Sequence, residues 1–508
     1  MTQIPDLSAV SQELAVERDI AVIDIGSNTV RLVHFRLQGR AIWPVYNEKV
    51  MAGLGQGVRA TGLLNADGRD IALRALKRFQ RILEAKGVTD IHVVATAAVR
   101  NAEDGAEFVR EIADLTALEV RILSGREEGE ISALGLLAGI PDAHGMTGDL
   151  GGSSLELTPI NNGVAGAGTT LALGPQEVLG NSEWDYDQAR RKIDKRLDKF
   201  GLDDRPGQTF YAVGGAWRTL AHLAFAHNSH PLKVVHQYAM TAAEVRKITQ
   251  LATQLSPASL VGTPGISRRR AVTLPYAALL LRRIVRKGNF ANVCFSAYGL
   301  REGVLLENMP DAIRDQDPLI AGAEALARPI APTPGFGVAL AHWLRPMLSE
   351  LEPVFAPRRD QILQEAACRL ADFGARMHPD HRAELARDTV LYAPFAGLSH
   401  PERGFLGTAL HFRHGGTASE LDQHPVARLM NADQRRKAEC LGLCLRLGSK
   451  LSGRSIRLLE RFRIGFEQGS LCVTVHESVR DLYVERSVTQ LKTIGGLIGV
   501  ETEVRYVE

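Results

Sequence analysis

Cysteine is scarce in this chain, and no two cysteines stand at a metal-knuckle spacing. The five present, Cys294, Cys368, Cys440, Cys444 and Cys472, are odd in number and form no CxxC pair. Reduced thiols in a cytoplasmic protein are the reading this favours. Long apolar runs are missing too. The longest, residues 271–281, is too short to cross a bilayer and contains Pro275, so no membrane span is expected. Residues 1–19 are polar and mixed in charge, without the apolar segment of a secretion signal. Charge of one sign is not in excess, because 60 Lys and Arg face 58 Asp and Glu for a net of +2. That balance neither supports nor excludes nucleic acid, since local patches decide. Aromatics are few, and the basic stretch described below carries only Tyr276 among them, which argues against stacking on single-stranded bases. No nucleic-acid partner is expected. No GxxxxGK[ST] occurs, which removes a P-loop nucleotidase. There is no low-complexity tract and no His-Asp dipeptide.

The chain does have length and punctuation. Its 508 residues are too many for one core, so three or four domains are expected. Residues 20–125 read as α/β. Apolar strands at 20–25 and 31–37 precede a Gly-rich loop at 52–62, a helix at 66–86, a strand at 91–95, a helix at 104–115 and a strand at 119–123. Strands alternating with amphipathic helices predict a parallel or mixed sheet covered by helices. A second α/β stretch, 126–309, contains a strand-to-turn element at Phe210-Tyr211-Ala212-Val213-Gly214-Gly215. Residues 310–334, rich in Asp and Pro, read as a linker. Helical patterns follow at 338–351, 358–378 and 434–449. The tail, 454–508, reads as strand, strand, helix, strand over 457–464, 470–475, 484–498 and 500–506.

Two segments in this plan are variations on one theme, 125 residues apart. Ala21-Val22-Ile23-Asp24-Ile25-Gly26-Ser27-Asn28-Thr29-Val30-Arg31 and Thr147-Gly148-Asp149-Leu150-Gly151-Gly152-Ser153-Ser154-Leu155-Glu156 each run from an apolar strand through Asp to a small-residue turn. The pattern predicts hairpins. Small residues at the tip let backbone N–H groups point outward as a nest for phosphate oxygens. One Asp-x-Gly alone is ordinary turn chemistry. Two with matching context predict facing loops that grip one phosphate chain, which requires Asp24 and Asp149 to converge. Glu156 returns toward the turn on the outgoing strand, either as a solvated strand residue or as a third hard oxygen ligand suited to Mg²⁺.

Other constellations are weaker. Ser124-Gly125-Arg126-Glu127-Glu128 opens a helix, where the macrodipole alone accounts for two glutamates. Adjacent helical positions point about 100° apart, so only one of them can face a cleft, where it could activate a water. Ala95-Thr96 through Arg100 reads as a strand end delivering an Arg, either a surface cation or a fork for phosphate oxygens. Arg268, Arg269 and Arg270, followed by Arg282, Arg283, Arg286 and Lys287, form either a solvated face or the lining of a polyanion channel. Among fifteen histidines, His378, His381, His400, His411 and His414 cluster, but their spacings match no zinc pattern.

As a set, these residues resemble the exopolyphosphatase and guanosine pentaphosphate phosphohydrolase family. The resemblance rests on Asp24 through Thr29, on Ser124-Gly125-x-Glu127-Glu128, and on Asp149 through Glu156. Ala95-Thr96 to Arg100, Val213-Gly214-Gly215, Pro264-Gly265 to Arg270 and Leu300-Arg301-Glu302-Gly303 fall in the family's order. It implies an actin-like fold of two duplicated ribonuclease-H-like domains. These would be followed by a mainly helical, degenerate HD-related domain and a small α+β unit. The implied boundaries are 1–19, 20–125, 126–309, 310–453 and 454–508. The resemblance further implies processive, Mg²⁺-dependent release of phosphate from inorganic polyphosphate, with guanosine pentaphosphate or tetraphosphate as alternative partners. Glu128 would be the general base, with Asp149 and Arg100 beside it. Asp149, Glu156 and Asp24 would hold Mg²⁺. Ser27, Asn28, Thr29, Arg31, Gly151, Gly152, Ser153, Ser154, Gly214, Gly215 and Arg270 would bind substrate. Ser153 stands where a third glycine is usual and Leu155 where Thr is usual. Lacking the His-Asp doublet, residues 310–453 are assigned no catalysis. They are expected to extend the substrate groove and build a homodimer interface. A polyphosphate- or alarmone-binding regulator without turnover and a sugar or acetate kinase are the readings from other classes.

Overall fold

The computed structural model describes residues 17–179 and 184–508. Most of the expected N-terminal extension therefore lies outside the described residues, and Glu17 already begins a strand. The chain forms two compact units. One comprises Glu17–Leu37 and Ile42–Asp315, the other Gln38–Ala41 and Gln316–Glu508.

In the first unit, strands β1 (Glu17–Ile25), β2 (Val30–Gln38), β3 (Ala41–Val50), β4 (Asp90–Ala95) and β5 (Val120–Ile122) build a sheet of order β3-β2-β1-β4-β5. β1 is central, which explains its unbroken apolar run. Ile20, Ala21, Val22 and Ile23 are each at most 2% exposed, so both faces of the strand are covered. The helix Ala66–Ala85 starts where the Asn65 side chain accepts the Gly68 amide. It buries Ala72, Leu76, Phe79 and Leu83 along one stripe against that sheet's core.

A second sheet uses β6 (Gly145–Leu150), β7 (Leu155–Asn161), β8 (Val164–Ala165), β9 (Thr169–Leu171), β10 (Thr209–Val213), β11 (Tyr238–Thr241) and β12 (Asn292–Phe295). Its order among the described residues is β11-β12-β10-β6-β7-β8, with β9 also on β7. Read from β8, the series β8-β7-β6-β10-β12 repeats the first sheet, a hairpin followed by two parallel strands, with β11 added at the far edge. The duplication heard in the two Asp turns is therefore present in the backbone. The helices Gly125–Gly139 and Leu300–Glu307 cross at glycines. A Cβ on Gly135 would lie 1.8 Å from the Gly299 carbonyl oxygen, and one on Gly303 1.8 Å from that of Ile131. Ile131, Ala138, Val304 and Leu305 from these helices share one core with Ile20 and Val22 of the first sheet, which binds the two halves together.

The second unit is helical from Pro318 to Leu451, then forms a sheet of order β13-β14-β15 from Phe462–Glu467, Ser470–His476 and Thr502–Val507, with the helix Glu485–Ile498 between the last two. The mixed α/β first part and the helical region after it agree with expectation. Three local readings do not. The supposed linker contains the helix Pro318–Ala327, because Asp317 caps it through the Leu319 and Ile320 amides and Pro318 occupies a first-turn position that needs no N–H. The pattern read as one helix over 358–378 is an α-helix, Pro357–Arg369, running into a 3₁₀ stretch, Leu370–Arg376. The tail's first strand begins only at Phe462, since Ile456–Leu459 makes a helical turn capped by Ser455. No helix among the described residues is long and apolar enough to cross a membrane.

Candidate active site

The two Asp turns are built alike. In the first, the Gly26 amide donates to the Thr29 carbonyl at 2.9 Å; in the second, Gly151 donates to Ser154 at 3.0 Å. The carbonyls at each tip are then drawn backward by a second segment. Gly55 and Gly53 donate to Ser27 and Asn28 at 2.8 and 3.1 Å, while Gln176 and Gly174 donate to Gly152 and Ser153 at 2.9 and 3.0 Å. With those carbonyls occupied, the small-residue tips keep their amide face for an anion. The braces need glycine, since a Cβ on Gly55 would come within 2.9 Å of the Ser27 Cβ and one on Gly174 within 2.2 Å of the Ser153 carbonyl carbon. The tips meet: Ser153 Oγ donates to Ser27 Oγ at 3.1 Å. The convergence that the paired motifs require is thus present.

Asp24, Glu128, Asp149 and Glu156 line one cleft of about 350 Å³ together with Arg31, Lys49, Arg218, Arg269, Arg270 and Arg301. Asp149 and Glu156 sit directly opposite each other on β6 and β7, so both side chains leave the same face of the sheet. Ser132 donates to Asp149 Oδ2 at 2.6 Å. Burial pushes the Asp24 and Asp149 carboxyls up, partly offset by Arg301 for Asp24 and by the Ser132 hydroxyl and Arg218 for Asp149. Glu156 is 2% exposed, and burial, then the neighbouring Glu128, raises it well above the ordinary range. Its Oε1 is buried without a protein partner.

The two adjacent glutamates are separated by their surroundings. Glu127 closes a capping box, its carboxylate accepting the Ser124 amide at 2.8 Å while its own amide donates to Ser124 Oγ at 3.2 Å. Those bonds and Arg121 hold it down to about 2. One residue on, Glu128 faces the cleft and burial pushes it up to about 7, against the opposing pull of Arg100. Neighbouring carboxyls driven apart in this way mark a division of labour, one structural and one poised to exchange a proton near neutrality.

Ser27, Asn28, Thr29, Gly151, Gly152, Ser154, Gly214 and Gly215 also line the cleft. Two expected residues stand behind it. Ser153 is spent on Ser27 and on Gln176. Arg100 is not at a strand end: β4 stops at Ala95 and the short helix Ala97–Asn101 carries it. Its Nη1 donates to Glu128 Oε2 at 2.9 Å and to the Leu123 carbonyl at 2.7 Å, so it orients a carboxylate inside the protein. Arg270 lies over Gly215, where a Cβ would fall 2.2 Å from its Nη2.

The basic helix Arg268–Lys287 does not present one continuous face to substrate. Arg269 reaches Asn28 Oδ1 at 2.5 Å, but Arg283 pairs with Asp194 at 2.7 Å and Lys287 pairs with Asp198. Arg283 lies about 20 Å along the helix from Arg270, thirteen residues at 1.5 Å each. Sequence reasoning missed Lys49, Arg218 and Arg301. Lys49 sits on an edge strand with no local signal. Arg218 and Arg301 are first-turn residues of the helices Gly215–His227 and Leu300–Glu307, whose N-termini border the cleft, and a glycine turn entering a helix was the available clue. Burial and like-charge crowding push Lys49 down to about 8 and Arg31 to about 10. Partly dehydrated cations crowded by like charge are stabilised by any anion placed among them.

Comparison with known proteins agrees with this reading. Residues 35–312 match the Ppx/GppA phosphatase family model and residues 320–505 the exopolyphosphatase C-terminal model. The chain belongs to the Ppx/GppA phosphatase family. It is 27% identical over 466 residues to retrograde regulation protein 2 of Saccharomyces cerevisiae, covering 83% of this chain and 77% of the relative. It is 24% identical over 305 residues to exopolyphosphatase 1 of Mycobacterium tuberculosis, covering 57% of this chain and 88% of that one. Among solved structures, the Aquifex aeolicus family member superposes with a TM-score of 0.52 at 22% identity, covering 59% of this chain and all of that one. An exopolyphosphatase from Cytophaga hutchinsonii gives 0.52 at 21% identity, covering 57% and 98%. At such identities these structures speak for the fold of the first unit.

Proposed function

Given its place in the Ppx/GppA phosphatase family, we propose that this chain is an exopolyphosphatase that releases orthophosphate processively from the end of inorganic polyphosphate. One observation carries the reading: Glu128, pushed up to about 7, faces a cleft where two phosphate-type loops touch. The amides of the tips 26–29 and 151–154, with Arg269 and Arg270, hold the terminal phosphoryl groups and neutralise their charge. Glu128, oriented by Arg100, accepts a proton from a water aligned with the terminal phosphorus. The P–O–P bond breaks as the new P–O bond forms, and the shortened chain leaves as the anion.

The residues present fit a magnesium ion that arrives with the phosphate chain. Glu156 offers a buried oxygen that no protein group uses, with Asp149 directly opposite and Asp24 nearby. Among the described residues no three Asp, Glu, His or Cys side chains stand close enough together to hold a metal ion by themselves, so the phosphate chain would have to supply part of its coordination. When bound, it would add positive charge to the non-bridging oxygens in the transition state.

Phosphate release from long-chain polyphosphate and from guanosine pentaphosphate, each with Mg²⁺ and with chelator, tests the proposal. Faster release from polyphosphate that chelation abolishes supports it, and preference for the nucleotide would reassign the substrate. A regulatory reading, binding without turnover, is favoured by the name of the yeast relative, retrograde regulation protein 2, whose match spans 83% of the chain. Tight polyphosphate binding with no phosphate released would establish it.

A further inference from the structure

The second unit carries its own cation-rich cavity, built wholly from its helical part and the start of its last helix. It measures about 470 Å³, within the range of small-ligand sites, and is lined by Arg382, Arg413, Arg446, Lys450, Arg454 and Arg486. Among the described residues, Asp372 is the one carboxylate within ion-pair distance of any of these six: it accepts a hydrogen bond from Arg413 Nη2 at 2.9 Å and stands 3.1 Å from Arg454 Nε. Among the described residues, no carboxylate lies within ion-pair distance of Arg382, Arg446, Lys450 or Arg486. Cations at helix ends are commonly dipole partners, and that accounts for Arg413 and Lys450, in the last turns of His400–Arg413 and Ala432–Leu451. It does not account for Arg382 and Arg486, which stand in the first turns of Arg382–Tyr392 and Glu485–Ile498, where the dipole opposes them.

The cavity is also constructed at a cost. Arg454 holds a left-handed backbone, φ 67°, which a non-glycine residue adopts only when its surroundings impose it. Its amide is fixed by the Ser449 carbonyl and the Ser452 hydroxyl, both at 3.2 Å. Gly374 lets the wall close, since a Cβ there would stand 2.7 Å from His414 Nε2 and 2.9 Å from Arg382 Cγ. That imidazole nitrogen is buried without a protein partner. Burial among arginines pushes His414 down to about 3 and Lys450 down to about 8, both signs of uncompensated positive charge.

We propose that this cavity is a second anion-binding site, distinct from the cleft and independent of its proposed activity, that takes a compact oligophosphate of at least two adjoining phosphoryl groups. A single phosphate would leave part of the charge of Arg382, Arg446, Lys450 and Arg486 unmatched, whereas adjoining phosphoryl groups offer several oxygens to forked guanidinium donors. The same chemistry is carried by a short inorganic polyphosphate and by the diphosphate of a nucleotide.

Calorimetric titration of inorganic tripolyphosphate into the full chain carrying Glu128→Gln tests it. Two classes of site are expected. In the same chain with Lys450→Ser and Arg486→Ser, both exposed positions, one class weakens about tenfold or more while the other persists. Hydrogen exchange supplies a readout that does not depend on stoichiometry: tripolyphosphate should protect the amides of 450–454, and the double variant should lose that protection. Lys450→Arg with Arg486→Lys should restore both. A parallel titration with GDP assigns the source, since tighter binding of GDP at this site points to a nucleotide and tighter tripolyphosphate to an inorganic chain. A single class that the double variant weakens, with protection at 450–454, would leave this site standing and count against the cleft alone; binding that the double variant leaves unchanged, with no protection at 450–454, overturns the proposal.

Discussion

Replacing Arg100 by Ala probes the site without touching the proposed base. Arg100 Nη1 stands 2.9 Å from Glu128 Oε2, and their side chains are 20% and 12% exposed, so this pair is largely sheltered from solvent. The arginine favours the charged form of Glu128, so removing it raises the carboxyl further. A charge-assisted hydrogen bond is worth about 1.5–3 kcal/mol, which at 1.36 kcal/mol per pK unit is about one to two units upward. A base titrating at about 7 is half ionised at pH 7. Raised by one to two units, it would be about 9% to 1% ionised there, so kcat at pH 7 falls about five- to fiftyfold. At pH 9 the variant recovers to within about twofold of the parent chain. The assay is orthophosphate release from long-chain polyphosphate at saturating substrate and Mg²⁺ from pH 5.5 to 9.5. The substrate's terminal phosphoryl also titrates near neutrality, but its titration would not move with Arg100. An acid limb that stays in place in Arg100→Ala, or a kcat loss equal at pH 7 and pH 9, refutes Glu128 as the group being titrated.

Four further outcomes are expected. Glu128→Gln lowers kcat by about 10²–10⁴ while polyphosphate binding, followed by filter retention, stays within a few-fold; near-parental turnover would remove Glu128 from the role. Gly174→Ala costs more activity than Gly55→Ala, about tenfold or more against a few-fold, because its Cβ meets the Ser153 backbone at 2.2 Å rather than the Ser27 side chain at 2.9 Å; the reverse order in steady-state kinetics would count against the braces. Arg269→Ala with Arg270→Ala weakens binding at every chain length, whereas Arg283→Ala leaves release within about twofold, since that guanidinium is held by Asp194; a loss confined to long chains in Arg283→Ala would revive the channel. Glu156 has its folded pKa raised above the unfolded value, so its burial costs stability once pH rises past the ordinary carboxyl range, and that cost is absent at lower pH. Glu156→Gln should therefore melt about 2–4 °C above the parent at pH 8 without ligand, with the gap closing by about pH 4, as scanning calorimetry would show.

Much of the site was legible because its chemistry is local. Asp24 and Asp149 announce themselves by strand, acid and small-residue turn, and a hairpin fixes Glu156 opposite Asp149 whatever the rest of the fold does. The choice between Glu127 and Glu128 was only half legible. Helical spacing says that one faces away, and Ser124 three residues before Glu127 is the capping-box signal that says which. The missed linker helix had an equally local signal in Asp317-Pro318.

What the amino-acid order determines here is conformation within a few residues: turns, caps, strand alternation and which residue types are available. Tertiary structure alone decided which charges share a low-dielectric space. Lys49, Arg218 and Arg301 come from separate elements, and their crowding exists only where those elements converge. The chain likewise gives Arg269 and Arg283 the same look, yet Asp194 claims one and the cleft receives the other. The physical reason is the range of the forces. Backbone sterics and capping bonds act between near neighbours in sequence, whereas burial and Coulomb coupling act between near neighbours in space, and only the fold sets who those are.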